Sequence, residues 1–337
     1  MTPTTAPWLL RTDEPRPQPR VPSDVEYHRV FAGEHRRIGR GLLAIALVFV
    51  GLVGIARLFL MAAAAVDENL LGRTGFTPLQ QAAGALALAA LIPYSMLVQR
   101  LLYGVPGRSL HSVSARFRYG VFARSLLAFG PLVVVLISLM FLAPGDPVEW
   151  STADLVGIFL TTVLLTPLQA AGEEYGVRGL MFRVVGGWTR HPRSGAALGI
   201  IVTTVLFSLL HGTLDPYLLS SYVLLFSVLA YVTWRTGGLE VAVVLHTVYN
   251  ATALLLATTM HVDLGGALGT RAEASGSLMT LVPGAGLVVV AAVVGWMTRT
   301  SGPARTPRAE RAERAERVAT DGREADRRAL MPEPSRG

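Results

Sequence analysis

The sequence predicts an all-α protein, a polytopic bundle of about eight transmembrane helices with both termini in the cytoplasm. Three observations support this prediction. Hydrophobic residues make up 51% of the chain and charged residues only 16%, and the mean hydropathy is +0.46; a soluble domain usually has less apolar and more charged sequence than this. Long apolar runs also recur along the chain, each near the length of about 20 residues that crosses a hydrocarbon core.

Eight apolar runs are long enough to cross a membrane. They lie at 41–65, 78–99, 121–142, 152–175, 197–212, 215–234, 239–259 and 277–297. The first run follows a long polar segment rich in proline and arginine, unlike the short basic start of a removable signal peptide. We therefore expect the first run to remain in the membrane as an anchor.

The placement of arginine predicts the same topology. All 30 basic residues are arginine, a composition typical of a GC-rich bacterial genome. Loops that remain in the cytoplasm retain positive charge. With both termini inside, every arginine except Arg57, Arg73 and Arg271 falls in an inner loop or a tail. The predicted location is the bacterial inner membrane, with the chain passing through the lipid bilayer several times.

Changes in composition divide the chain into five segments. Both ends are polar and charged, so both are expected to be disordered. The segments are a disordered cytoplasmic tail at 1–40, N-terminal membrane helices with a basic inner loop at 41–150, a candidate catalytic core at 151–260, a last loop and helix at 261–298, and a disordered charged cytoplasmic tail at 299–337.

Ionisable residues interrupt three of the apolar runs, at a cost of roughly 2.5 to 3.5 kcal/mol for each charge within the membrane. Cysteine is absent, which excludes disulfides, thiolate catalysis and cysteine-ligated metals. Histidine and carboxylate side chains therefore remain as the candidates for chemistry. The three segments are AAGEEYGVRGLMF (170–182), LFSLLHG (206–212) and LHTVYNA (245–251).

Helical spacing relates the polar residues within each segment, because residues four apart share one face of a helix. The pairs are Glu174 with Arg178, Phe207 with His211, and His246 with Asn250. Neighbouring carboxylates at Glu173 and Glu174 lie about 100° apart round the helix, so the two are expected to have separate roles.

Depth in the membrane predicts that three of these groups converge. A rise of 1.5 Å per residue places Glu173 about 15 Å, His246 about 12 Å and His211 about 21 Å from the inner surface, which is one mid-membrane layer. Pro167 should kink the fourth helix and make room for water beside the carboxylate. Each of the three could instead be a polar tie between helices.

The three ordered motifs resemble those of the CAAX protease and bacteriocin-processing family of intramembrane proteases. The family pattern is Glu-Glu-x-x-x-Arg, then Phe-x-x-x-His, then His-x-x-x-Asn, and the resemblance covers about 155–255. The matching residues are Glu173, Glu174, Arg178, Phe207, His211, His246 and Asn250. The sequence departs from the pattern at Val177, where the family commonly has an aromatic residue, and this affects local packing rather than chemistry.

The resemblance implies a role for each matching residue. Glu173 would be the general base that activates water, with His211 assisting, and carboxylates shielded from bulk water suit this task. Donors preorganised in a dry site stabilise an oxyanion, and the resemblance gives that role to His246 and Asn250. The other matching residues would support the site: Glu174 and Arg178 as a buried pair orienting the loop after the fourth helix, and Phe207 as a core residue holding the His211 face.

Dependence on a metal stays open at this point. Glu173, His211 and His246 could form an N2O ligand set for a divalent metal such as zinc, with water in the fourth position. The HExxH signature is missing, and a metal-free glutamate mechanism would use the same residues. We favour the metal-free form.

The predicted function is an intramembrane endopeptidase, a hydrolase that cuts a membrane protein or peptide with no nucleic acid involved. One alternative is a proton-coupled transporter that uses the buried groups as a relay, although no inverted repeat is evident. The other is a non-catalytic scaffold or immunity protein, which the complete set of motifs disfavours. The sequence does not indicate an oligomeric state.

Overall fold

A computed structural model describes residues 7–12, 18–33, 35–142, 147–270 and 272–308. Within them the chain is helical, extended pairing is limited to two isolated bridges, and eight helices are long and apolar enough to cross a membrane. These are α1 Ile38–Leu70, α2 Pro78–Tyr103, α3 Tyr119–Phe141, α4 Thr152–Gly186, α5 Pro192–Leu209, α6 Pro216–Thr236, α7 Glu240–Thr259 and α8 Leu278–Met297. The prediction of an all-α, multi-pass membrane protein is confirmed.

Both ends of the described chain meet on one face of the bundle, which we call the terminal face. Glu26 and Arg305 form an antiparallel bridge, and the backbone N–H of Thr306 donates to the carbonyl of Val25 at 2.8 Å. An even number of crossings returns a chain to its starting side, as eight helices do here. The assignment of this face to the cytoplasm remains a prediction.

Residues 18–33 pack against the terminal face, whereas the sequence analysis expected a disordered tail over 1–40. Tyr27 and His28 are fully buried, and the Tyr27 hydroxyl donates to the Leu110 carbonyl at 2.5 Å. Arg29 donates to the carbonyls of Gly186 and Thr189 at 2.7 and 2.8 Å. Composition predicted a solvated tail because it does not show that these polar groups have hydrogen-bond partners in the folded bundle.

The second predicted tail, 299–337, is described only as far as residue 308. In that part the backbone N–H of Ala304 donates to the Arg235 carbonyl at 3.2 Å, and Thr306 is buried beside Val25. Residues 309–337 lie outside the described part of the chain, as do 1–6, 13–17 and residue 34 within the first tail. The expectation of disorder for those stretches stays a prediction.

Helix α4 continues well beyond its predicted end at residue 175. The segment Tyr175–Met181 is a π-helix and α4 then runs on to Gly186, so no loop follows the Glu-Glu motif for an ion pair to orient. All residues from 170 to 186 are buried, and Arg178 and Arg183 find partners inside the bundle. The charges of these two arginines had suggested that a loop begins after residue 175. π-Helical turns are often found at functional sites.

Helices α4 and α7 occupy the centre of the bundle. Helix α4 packs against α2 and α7, while α7 also packs against α3 and α6, and α5 covers α6 and the end of α4. Outer helices present large apolar side chains away from the protein, as Leu42, Val50 and Leu58 do on α1, which suits contact with lipid. The parts of α4 and α7 that carry the polar groups, 170–186 and 240–246, are therefore shielded by the other helices.

Gly172, immediately before the Glu-Glu motif, allows α4 to approach the backbone of α2. A Cβ atom there would lie 1.8 Å from the Leu88 carbonyl oxygen, too close for any rotamer change to relieve. Gly172→Ala should therefore lower the melting temperature of the detergent-purified protein and reduce its folded yield, since overpacking costs about 1–3 kcal/mol or more. Gly54→Ala is the matched control, because nothing lies within 4 Å of its Cβ position. Equal melting temperatures for the two variants would contradict the close helix contact.

Candidate active site

The imidazole of His246 lies between the carboxylates of Glu173 and Glu174. Its Nδ1 is 2.8 Å from Oε1 of Glu174, and its Nε2 is 3.5 Å from Oε2 of Glu173. The expectation of separate roles for the two carboxylates stays a prediction, and the sequence analysis did not predict that one imidazole would contact both. The His246 ring of α7 contacts both carboxylates of α4, because its two nitrogens lie on different edges of the ring and each faces one carboxylate.

Glu174 also forms the predicted ion pair with Arg178. The distance from Arg178 Nη1 to Oε1 of Glu174 is 3.1 Å, and both side chains are completely buried. The guanidinium lies 4.8 Å from the ring centre of Phe207 and 4.9 Å from that of Phe226. Aromatic faces attract a desolvated cation. The helical spacing of the sequence thus identified this pair correctly, and the aromatic contacts help to hold the charge in the apolar core.

The contact with Glu174 defines the hydrogen-bonding state of His246. Oε1 of Glu174 already accepts a hydrogen bond from Nη1 of Arg178 at 3.1 Å, and a carboxylate in an ion pair only accepts hydrogen bonds. Nδ1 of His246 therefore carries the proton and donates to Glu174. Nε2 is left facing Glu173, whose side chain is 9% exposed while that of Glu174 is fully buried. Of the two carboxylates, only that of Glu173 retains any exposed surface.

His211 lies just past the end of α5 and belongs to an aromatic cluster. Its Nδ1 donates to the Phe207 carbonyl at 2.8 Å, and its ring centre is 4.4 Å from that of Tyr222. The ring of Phe226 contacts both histidines, with centre distances of 5.0 Å to His211 and 6.4 Å to His246. The two histidines are thus on neighbouring parts of one aromatic cluster.

Asn250 lies one turn beyond His246 on α7. Its side chain is half-buried, and among the described residues it has no hydrogen-bond partner. The amide is therefore able to donate to a bound molecule near His246. This arrangement matches the spacing from which its position was predicted.

The predicted metal ligands do not form a metal site in this structure. Within the described residues no group of three His, Cys, Asp or Glu side chains is arranged to hold a metal ion. His246 has Nδ1 committed to Glu174, and His211 has Nδ1 committed to the Phe207 carbonyl. A histidine that binds a metal through Nε2 commonly donates its Nδ1–H to a carboxylate or carbonyl, so metal binding by Glu173, His211 and His246 stays a prediction.

Several buried polar residues around the site were missed by the sequence analysis. Glu240 begins α7 and forms a buried ion pair with Arg118 at 2.7 Å, and His111 contacts the hydroxyl of Tyr175. Phe226, which links the two histidines and Arg178, has no signal in the sequence that separates it from other core aromatics. Arg118 and Glu240 are 122 residues apart, so local spacing in the sequence gives no signal for this pair.

Comparisons with known proteins identify part of the chain. Residues 152–252 match the family model described as Type II CAAX prenyl endopeptidase Rce1-like. The matched range contains all three motifs, from Glu173 to Asn250, so the resemblance recognised from these residues is confirmed. No curated protein and no solved structure matched the chain.

Proposed function

We propose, from the match of residues 152–252 to type II CAAX prenyl endopeptidases, that this membrane protein is an intramembrane endopeptidase. The family match supports a hydrolase of the CAAX-protease type, and the finer assignments that follow are proposals. The observation on which they rest is that His246 lies between Glu173 and Glu174, at 3.5 and 2.8 Å. A carboxylate and an oriented imidazole in a shielded site form a general acid–base pair.

In the proposed reaction Glu173 acts as the general base. It removes a proton from water while the water oxygen attacks the carbonyl carbon of the substrate. The proton passes to the peptide nitrogen as the carbon–nitrogen bond breaks, leaving a carboxylate and an amine. The contact between Glu173 and Nε2 of His246 allows the imidazole to take up and return this proton. Glu174 acts only through His246, by fixing which nitrogen carries hydrogen.

Asn250 and His211 have supporting roles in the proposal. The amide of Asn250 is free to donate to the oxyanion that forms on the substrate carbonyl, and one such donor is worth about 2.7–4 kcal/mol in other hydrolases. His211 forms the wall of the site together with Phe226 and Tyr222. Its expected role as the assistant of Glu173 stays a prediction, while the imidazole of His246 contacts Glu173 at 3.5 Å. The proposed steps use no metal ion.

The substrate class follows from where the site lies. Glu173 lies within a helix that is long and apolar enough to cross the membrane, so the proposed substrate is one whose scissile bond reaches the bundle from the bilayer. A membrane protein or a membrane-inserted peptide meets this requirement. We place the enzyme in the inner membrane with the terminal face in the cytoplasm, following the distribution of arginine.

A comparison of membrane proteomes tests the proposal. Cells with Glu173→Ala should accumulate uncut forms of one or more membrane proteins that cells with the natural enzyme cleave. The matched control is Glu68→Ala, which removes an exposed carboxylate at the end of α1 and should leave the proteome unchanged. Indistinguishable proteomes for Glu173→Ala and the natural enzyme would contradict protease activity. Loss of proton-linked uptake in the same variant would favour a transporter.

A further inference from the structure

The 107–118 loop, which joins α2 to α3, is folded into the terminal face. The sequence analysis treated it as a basic inner loop. In the structure Ser109, Leu110 and Ser112 are each no more than 1% exposed. A loop that is this buried can transmit position between the helices that it contacts, because a packed interior has few alternative arrangements.

One side of the 107–118 loop is fixed to α4. Arg183 donates to the Ser109 carbonyl at 2.5 Å and to the Ser109 hydroxyl at 3.0 Å. The imidazole of His111 contacts the Tyr175 hydroxyl through Nδ1, and the two rings meet edge to face at 5.4 Å. Tyr175 is 3% exposed and directly follows Glu174. The loop therefore reaches the residue next to the Glu-Glu motif.

The other side of the loop is fixed to the start of α7. Arg118 makes two hydrogen bonds to the carboxylate of Glu240, at 2.9 and 2.7 Å. The backbone N–H of Leu239 donates to the carbonyl of His111 at 3.0 Å. Leu239 lies seven residues before His246, which is about two helical turns on the same face. His111 thus contacts α4 with its side chain and α7 with its backbone.

We propose that His111 is a positioning residue, which holds α4 in register with α7 and so maintains the separation of Glu173 and His246. This inference rests on the proposed protease function. The distance of 3.5 Å between Glu173 and His246 is already longer than the reach of about 2.6–3.2 Å for direct proton transfer, so the two groups must approach further and cannot move apart. A displacement of about 1 Å at such a site lowers rates by about 10²-fold. Burial lowers the pKa of His111, so its neutral Nδ1 can accept the hydrogen bond of Tyr175.

The first test compares His111→Ala, Tyr175→Phe and the double variant, using the client protein that accumulates in Glu173→Ala cells. Each single variant should reduce kcat about 10- to 100-fold with KM unchanged, and the double variant should be no worse than either, as expected for groups that act as a unit. Tyr94→Phe is the matched control. It removes a similar tyrosine hydrogen bond, from Tyr94 to the Leu47 carbonyl of α1 at 2.9 Å, which does not involve the 107–118 loop.

The second test is rescue by His111→Asn. An asparagine amide can occupy the place of Nδ1 but does not titrate, so it should recover most of the lost kcat if position is what matters. Retained activity in His111→Ala would overturn the inference, and so would a loss of kcat equal to that of Tyr94→Phe. A natural enzyme that cleaves no more than Glu173→Ala would instead overturn the protease function, and this inference with it.

Discussion

Glu173→Gln should reduce cleavage of the client protein by about 10²- to 10⁴-fold, which is the usual contribution of a general base. Glutamine keeps the size of the side chain but cannot take a proton from water. Glu174 would still hold Nδ1 of His246 at 2.8 Å, so the site should otherwise keep its shape. The measurement is kcat for the purified enzyme in detergent or liposomes, together with its melting temperature.

Glu68→Gln provides the control for this experiment, since the side chain of Glu68 is exposed and lies on α1. It should retain full activity. If Glu173→Gln kept turnover within about threefold of the natural enzyme, the carboxylate would not be the general base. If it lost its folded state instead, the role of Glu173 would be structural.

Glu174→Ala should destabilise the protein by about 3–5 kcal/mol, the cost typical of removing one partner of a buried ion pair. Arg178 would lose its carboxylate at 3.1 Å and remain with no exposure to solvent. His246 would lose the acceptor for Nδ1 in the same step. The expected result is a lower melting temperature together with loss of cleavage.

The paired replacement Glu174→Met with Arg178→Met separates these two effects. Removing both charges leaves no unpaired ion, and such replacements are often neutral or stabilising. We therefore expect the double variant to recover much of the melting temperature but none of the cleavage, since nothing orients His246. Recovery of activity would show that Glu174 does not act through His246. Failure to recover stability would show that the aromatic contacts of Arg178 with Phe207 and Phe226 contribute more than the pairing.

Hydropathy predicted the number and order of the helices because the membrane imposes a length on each apolar run. The predicted helix boundaries were less accurate where charged side chains are buried in the bundle. The fourth run was expected to end at residue 175, yet α4 reaches Gly186 because Arg178 and Arg183 have partners inside the bundle. For the same reason, the sequence analysis did not predict that Tyr27 and His28 would be buried in the bundle. Charge in a sequence does not show whether a partner exists elsewhere in the chain.

Local spacing predicted the contacts within one helix, such as Glu174 with Arg178, and depth placed Glu173 and His246 in a common layer. Contacts between helices depend on rotation and on the side chains that intervene, which spacing does not fix. For this reason the sequence did not predict that His246 would contact both carboxylates. It also did not predict that His111, in a loop, would reach the neighbour of Glu174.

The contact between the two described ends of the chain affects the order in which parts of the structure can form. Val25 is made early in synthesis and its N–H donates to the hydroxyl of Thr306, 281 residues later. This contact cannot form until the eighth helix has left the ribosome and inserted. Contacts so distant in sequence form slowly because a long chain must first be closed. The terminal face of the helical bundle is therefore expected to close late, after the eighth helix has been made.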